Sequence, residues 1–165
     1  MKKHLLSLVG LLFCPFIFGQ ILTVNTGSSV SISPSSSITL DGLEITPDNT
    51  YVISGANDVS RSASAITVGD NSSVSRVYST TALLSGFTGT LSFSYLEGEL
   101  NGIEEADLVL ELQAEDDSWT SYTGTVDQTN NMVSYTFTDA VSFKAVTASA
   151  AGATLTIEDL NPADN

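Results

Sequence analysis

The sequence predicts an all-β fold, an antiparallel two-sheet β-sandwich of jelly-roll or Ig-like type behind an N-terminal signal peptide. Three observations carry this expectation. Apolar side chains alternate with period two at Leu91, Phe93 and Tyr95, at Leu108, Leu110 and Leu112, at Val133, Tyr135 and Phe137, and at Leu155 and Ile157, the pattern of a strand with one buried face. Beyond the first 18 residues no stretch sustains the i, i+3, i+4, i+7 spacing of an amphipathic helix with caps. Turn residues punctuate the apolar runs: Asp41-Gly42, Pro47-Asp48-Asn49, Gly69-Asp70-Asn71, Gly98, Asn101-Gly102, Asp116-Asp117-Ser118 and Asn130-Asn131.

Taken in order, Lys2, Lys3 and His4 precede the apolar run Leu5 to Phe18, which is broken only by Ser7, Gly10 and Pro15. This is the basic start and apolar middle of a secretory signal, and the run falls short of the ~20 residues that cross a bilayer. Residues 1–19 are read as the signal peptide, cleaved between Gly19 and Gln20 and carrying the only substantial helix. Phe13 before Cys14 is too large for a lipoprotein signal, so Cys14 is read as an ordinary residue of the apolar segment. Residues 20–165 then form a single β-sandwich domain with no membrane span. Further strand-like runs lie at Ile21 to Val24, Val30 to Ile32, Ile38 to Ile45, Tyr51 to Ile53, Ala65 to Val68, Val74 to Tyr78, Trp119 to Tyr122 and Val141 to Val146. Their spacing of about ten residues is that of sandwich strands. Serines dilute the early ones, which are read as thin edge strands with a hydroxyl outer face. The inward set is expected to include Leu91, Phe93, Leu108, Leu110, Leu112, Val133, Tyr135 and Phe137.

The inventory excludes much chemistry. The single His and single Cys fall in the signal segment, leaving Arg61, Arg76 and Lys144 against 19 acids. Cys and His nucleophiles, zinc sites built on them, haem, iron–sulfur clusters and internal disulfides are therefore closed to the domain. So few cations cannot neutralise a phosphate backbone, so no nucleic-acid partner is expected. Lys144 among so many acids is expected to be ion-paired and protonated, not a base for a serine nucleophile.

The densest polar cluster is Glu97, Glu99, Asn101, Glu104, Glu105 and Asp107. Acids two apart on a strand share a face with Cα atoms ~7 Å apart, so Glu97 and Glu99 would converge like the nucleophile and acid of a retaining glycosidase, ~5.5 Å apart. A third acid of that pattern is missing, since the position holds Asn101. Calcium is the one cofactor the sequence leaves open, with Glu97, Glu99, Asn101, Glu105 and Asp107, or Asp41, Glu44 and Asp48, as oxygen donors, although no EF-hand spacing is present. Arg76, set among Val74, Val77 and Tyr78, is expected to form a structural ion pair with Glu99, or failing that with Glu97 or Glu105, because an arginine inside an apolar run needs a carboxylate for its fork of donors. Trp119 with Tyr122 and Tyr135 is a candidate sugar-stacking surface, weighed against plain core packing. Asn71-Ser72-Ser73 is a formal glycosylation sequon.

Leu40-Asp41-Gly42-Leu43 with Pro47, Ser75-Arg76-Val77-Tyr78, Phe87-Thr88-Gly89-Thr90-Leu91, Tyr95, Glu99-Leu100-Asn101-Gly102 with Glu105, Trp119, and Asn130-Asn131-Met132-Val133 together resemble an N-terminal β-rich region of large secreted or cell-surface proteins of Bacteroidota. The resemblance spans residues 20–146. It implies export, often by the type IX route, to an adhesin-like, matrix or uncharacterised surface role. Type IX cargo ends in a sorting domain of several tens of residues, whereas the chain stops shortly after Thr154 to Ile157. The domain is accordingly expected either as the N-terminal piece of a longer protein or as one that leaves by another path. The expected function is that of a non-catalytic secreted or surface module with a structural, adhesive or interaction role. Its expected partners are an extracellular glycan, a matrix component or other domains of a longer chain; the alternative is a carbohydrate-binding or carbohydrate-cleaving module.

Overall fold

The computed structural model describes residues 19–152, so the expected signal segment, Cys14 and the Leu155/Ile157 pair lie outside the described residues. In chain order the strands are β1 (Gly19–Val24), β2 (Ser29–Ile32), β3 (Ile38–Leu40), β4 (Leu43–Pro47), β5 (Tyr51–Ser54), β6 (Asn57–Ser62), β7 (Thr67–Val68), β8 (Asn71–Ser72), β9 (Val77–Ser94), β10 (Leu108–Gln113), β11 (Trp119–Tyr122), β12 (Thr125–Asp127) and β13 (Met132–Ala150). Two 3-10 turns, Glu97–Glu99 and Glu105–Asp107, separate β9 from β10. All the strand pairs are antiparallel, as alternation and short turns require. The β3–β4 hairpin shows the local logic: Asp41 (φ 48°) and Gly42 (φ 100°) both take the positive φ of a tight hairpin turn.

Two runs expected as separate strands at either end of residues 74–95 belong to one strand, β9, of 18 residues, and those of 133–146 belong to β13, of 19. These two long strands pair with each other along their length. The N-terminal part of β9 continues outward to β6 and β1, and the C-terminal part of β13 to β10 and β11. The other halves carry β4 with β3, and β12. Nine strands are thus joined in one hydrogen-bonded sheet, with β2–β5 and β7–β8 as separate two-stranded ribbons. The expected division into two independent sheets gives way to one sheet with two wings that share their central strands.

The wings face each other. Tyr78 and Phe93 sit near opposite ends of β9, about 50 Å apart in a straight strand. Their rings nevertheless meet edge to face at 5.7 Å, so the strand folds back on itself. The fold line lies where the β9–β13 register slips three times between Phe137 and Ala145, and extra residues in a ladder bend it. Gly89 (φ 127°) stands beside that line, in close approach to β4: a Cβ there would press on the Thr46 carbonyl and lie 2.7 Å from Pro47 Cα. At the bend Phe87, fully buried, takes edge contacts from Tyr51, Phe137 and Phe143. One apolar core fills the space between the wings, with Tyr78, Leu110, Leu112, Val146 and Ala148 from the first and Leu43, Ile45, Leu91, Phe93 and Val133 from the second.

Of the expected inward set, Leu91, Phe93, Leu108, Leu110, Leu112, Val133 and Phe137 are buried. Tyr135 is only half-buried, because it lies against Tyr122 and Phe137 at the margin of the core (centroids 5.1 and 4.7 Å). Among the described residues no helix is long and apolar enough to cross a membrane.

Candidate functional site

Strand β10 turns Leu108, Leu110 and Leu112 to the core, so Val109, Glu111 and Gln113 take the opposite face of the first wing. Register then assembles that face. Glu111 lies across from Ser121 on β11 and Thr147 on β13; Gln113 lies across from Trp119 and Ala145. Such a polar outer face would ordinarily be wet. Here the segment bearing β7 and β8 folds over it, tied down by a Ser73–Ser149 bridge and by Val74 N–H donating to the Ala148 carbonyl at 2.9 Å. Ser73, Thr147 and Ser149 are fully buried beneath it and Glu111 is 1% exposed.

Burial leaves Glu111 in an unusual state. Ser121 and Ser149 each donate a hydroxyl to its Oε1 at 2.7 Å, while Oε2 is buried with no partner among the described residues. Desolvation pushes its pKa above the usual carboxylate value, against the downward pull of the Ser149 and Ser121 hydrogen bonds.

The cover does not reach β11, and two depressions remain with Trp119 as their shared wall. The larger, about 550 Å³, is lined by Ser62, Ser64, Ile66, Thr67, Val77 and Gln113 beside the indole. The smaller, about 370 Å³, is walled by Asp70, Asn71, Glu111 and Ser121. Both fall within the ~300–1,000 Å³ of small-molecule sites. Trp119 itself is half-buried and outside the core cluster. Tyr122, its candidate companion, does not join it: three residues along β11 and so on the opposite face, it packs against Tyr135 and Phe137 instead (centroids 5.1 and 4.9 Å).

The Arg76 and Glu99 side chains meet as a fork. Arg76 Nε donates to Glu99 Oε2 at 2.8 Å and Nη2 to Oε1 at 3.0 Å. Nη1 donates to the Asp41 carbonyl at 2.8 Å and to Tyr78 Oη at 3.1 Å. Arg61 joins the cluster, its Nε 2.7 Å from Asp41 Oδ2 and its Nη1 3.4 Å from Glu99 Oε1. Gly42 makes room, since a Cβ there would come within 2.8 Å of Arg76 Nη1. The pair ties the loop after β9 to the β3–β4 turn.

The calcium candidates Glu97, Glu99, Asn101, Glu105 and Asp107 are not gathered into one metal site, although Glu97 and Glu105 line one depression with Glu104. Glu99 serves the arginines, Glu97 accepts from Asn131 Nδ2 (3.2 Å), Glu105 from Tyr95 Oη (2.9 Å), and Asn101 Nδ2 donates to Ser72 Oγ (2.9 Å). Asp107 is exposed. The Asp41, Glu44 and Asp48 alternative loses Asp41 to Arg61. Among the described residues no three His, Cys, Asp or Glu side chains are placed to hold a metal ion. The 3-10 turn at Glu97–Glu99 also removes the strand geometry that would have set Glu97 beside Glu99.

Sequence reasoning passed over Glu111. Its signal was a lone charge inside the apolar run Leu108-Val109-Leu110-Glu111-Leu112, which shows a strand covered on both faces. Compared with known proteins, the chain matches no protein-family model, no curated protein and no solved structure.

Proposed function

We propose that the chain is an exported, non-catalytic binding module, sandwich-like in architecture, that holds a carbohydrate against the Trp119 face of its first wing. The observation that carries this reading is the half-buried indole that forms a wall of two depressions, which also bear Ser62, Ser64, Thr67, Ser121 and Asn71. An aromatic face packs on the apolar face of a pyranose ring, and hydroxyls and amides at its margin exchange hydrogen bonds with the sugar hydroxyls. Export rests on the signal-like start, and a place at the cell surface on the resemblance to Bacteroidota surface proteins. Binding is favoured over cleavage because Glu99 is engaged by Arg76 and Glu97 by Asn131, which leaves no opposed pair among the expected catalytic acids.

A glycan array followed by calorimetry on the secreted protein tests the reading. Trp119→Ala should weaken binding of the selected glycan about 30-fold, the ~2 kcal/mol of an aromatic anchor, with little change in melting temperature. Absence of any glycan ligand, or affinity indifferent to Trp119→Ala, refutes it, and turnover of the bound glycan refutes its non-catalytic part.

A further inference from the structure

We propose that the 370 Å³ cavity walled by Trp119, Glu111, Asp70 and Ser121 is a subsite for a protonated amine, that of a 2-amino-2-deoxy sugar unit. This deepens the carbohydrate reading and rests on it. Glu111 Oε2 is buried and unpartnered while Oε1 is saturated by two serine hydroxyls. A carboxylate oxygen left so is completed best by a cationic donor, which supplies both the hydrogen bond and the counter-charge. Among the described residues none supplies that cation. Arg61 and Arg76 are committed to Asp41 and Glu99, Lys144 to Asp117, and none of the three lines the cavity. Asp70, exposed at the rim, adds a second negative charge, and Trp119 supplies an aromatic wall. Ser121, fixed by its bond to Glu111, is placed for a neighbouring sugar hydroxyl. Two acids with an indole suit an alkylammonium better than a divalent ion, which seeks six or more oxygens.

The test is calorimetry at 0.15 M salt, at a pH where the amine is protonated, on the secreted protein with the β-1,4 dimer of glucosamine, its N-acetylated counterpart and a neutral glucose dimer. The glucosamine dimer should bind at least 10-fold more tightly than the other two. Glu111→Gln, nearly isosteric and still able to accept from Ser121 and Ser149, should abolish that preference, so that the glucosamine dimer binds within about 2-fold of the other two. The rim change Asp70→Asn should lower the preference several-fold without touching the buried layer, which keeps the proposal falsifiable if the Glu111 variant fails to fold. Glu115→Gln, exposed and outside the cavity, should do nothing. Equal affinity for charged and neutral dimers overturns the amine subsite while sparing the carbohydrate reading, and binding of none of the three overturns both. A preference that survives Glu111→Gln and Asp70→Asn overturns the subsite in favour of diffuse attraction to an acidic surface. Saturable calcium binding lost in Glu111→Gln overturns it in favour of a metal ion.

Discussion

Replacing Arg76 by Met tests whether the tie between the loop after β9 and the β3–β4 turn stabilises the fold. The Arg76 and Glu99 side chains are 8% and 15% exposed, so neither charge is well served by water once its partner is gone. Arg76→Met strips two charge-assisted bonds from Glu99 and leaves it the Leu96 N–H at 2.9 Å and a long contact to Arg61 at 3.4 Å. Because some partners remain, the cost should sit at the low end of the range for breaking a buried pair, about 3 kcal/mol. Glu99→Leu leaves the Arg76 guanidinium with two neutral acceptors, the Asp41 carbonyl and Tyr78 Oη, and should cost a similar amount. In the double variant no buried charge is stranded, so its loss should be about 3 kcal/mol, not 6, a coupling of about 3 kcal/mol. At roughly 4 °C per kcal/mol for a domain of this size, each single change lowers the melting temperature by about 12 °C, and the double change by about the same. Urea titrations of the four proteins with a common m-value supply the cycle. Additive losses, with coupling below about 0.5 kcal/mol, would show that the two side chains do not stabilise each other.

Glu111→Gln should change the pH dependence of stability. The folded-state pKa of Glu111 is raised above its unfolded value near ~4.3, so the native state holds the proton more tightly and stability falls as pH rises from the unfolded value through the folded one. The variant, which cannot ionise there, should gain on the parent across that interval, seen as a larger urea midpoint difference at pH 7 than at pH 4; a constant difference contradicts the buried, unmatched carboxylate. Gly89→Ala should destabilise by several kcal/mol, since a methyl group meets backbone atoms of Thr46 and Pro47 at a φ of 127°. An unchanged melting temperature in that variant would show that the close approach of β9 to β4 does not constrain the fold.

Strand character, antiparallel pairing and most of the buried face were legible in the chain, because alternation of apolar residues reports burial on one side of a strand wherever the other side meets water. Leu91, Phe93, Leu108, Leu110, Leu112, Val133 and Phe137 follow that rule. Tyr135 departs from it because the margin of the core is a property of neighbouring strands, here Tyr122 on β11. The need of Arg76 for a carboxylate was also local, since five Lys and Arg residues among 19 acids leave an arginine in an apolar run only one kind of partner. That Arg61 and Asp41 join the same cluster was not local: Arg61 stands opposite Tyr78 by the β6–β9 register, and the β3–β4 turn, paired with the far half of β9, reaches the cluster only when β9 folds back.

What the sequence determined by itself was composition and its consequences: strands, turns, an acidic chain without thiol or imidazole beyond its first 14 residues, and the exclusions these impose. The tertiary structure alone decided that the runs at either end of β9 and of β13 are single bent strands, that nine strands make one sheet with facing wings, and that β7 and β8 cover a polar face. The physical reason is that a bend of the sheet and a cover over it are set by long-range packing and register. Alternation cannot distinguish an outward residue in water from one beneath another ribbon. Glu111 is that case: its position in the strand marks it as outward, and only the β7–β8 cover makes it a buried carboxylate with an oxygen left unpaired.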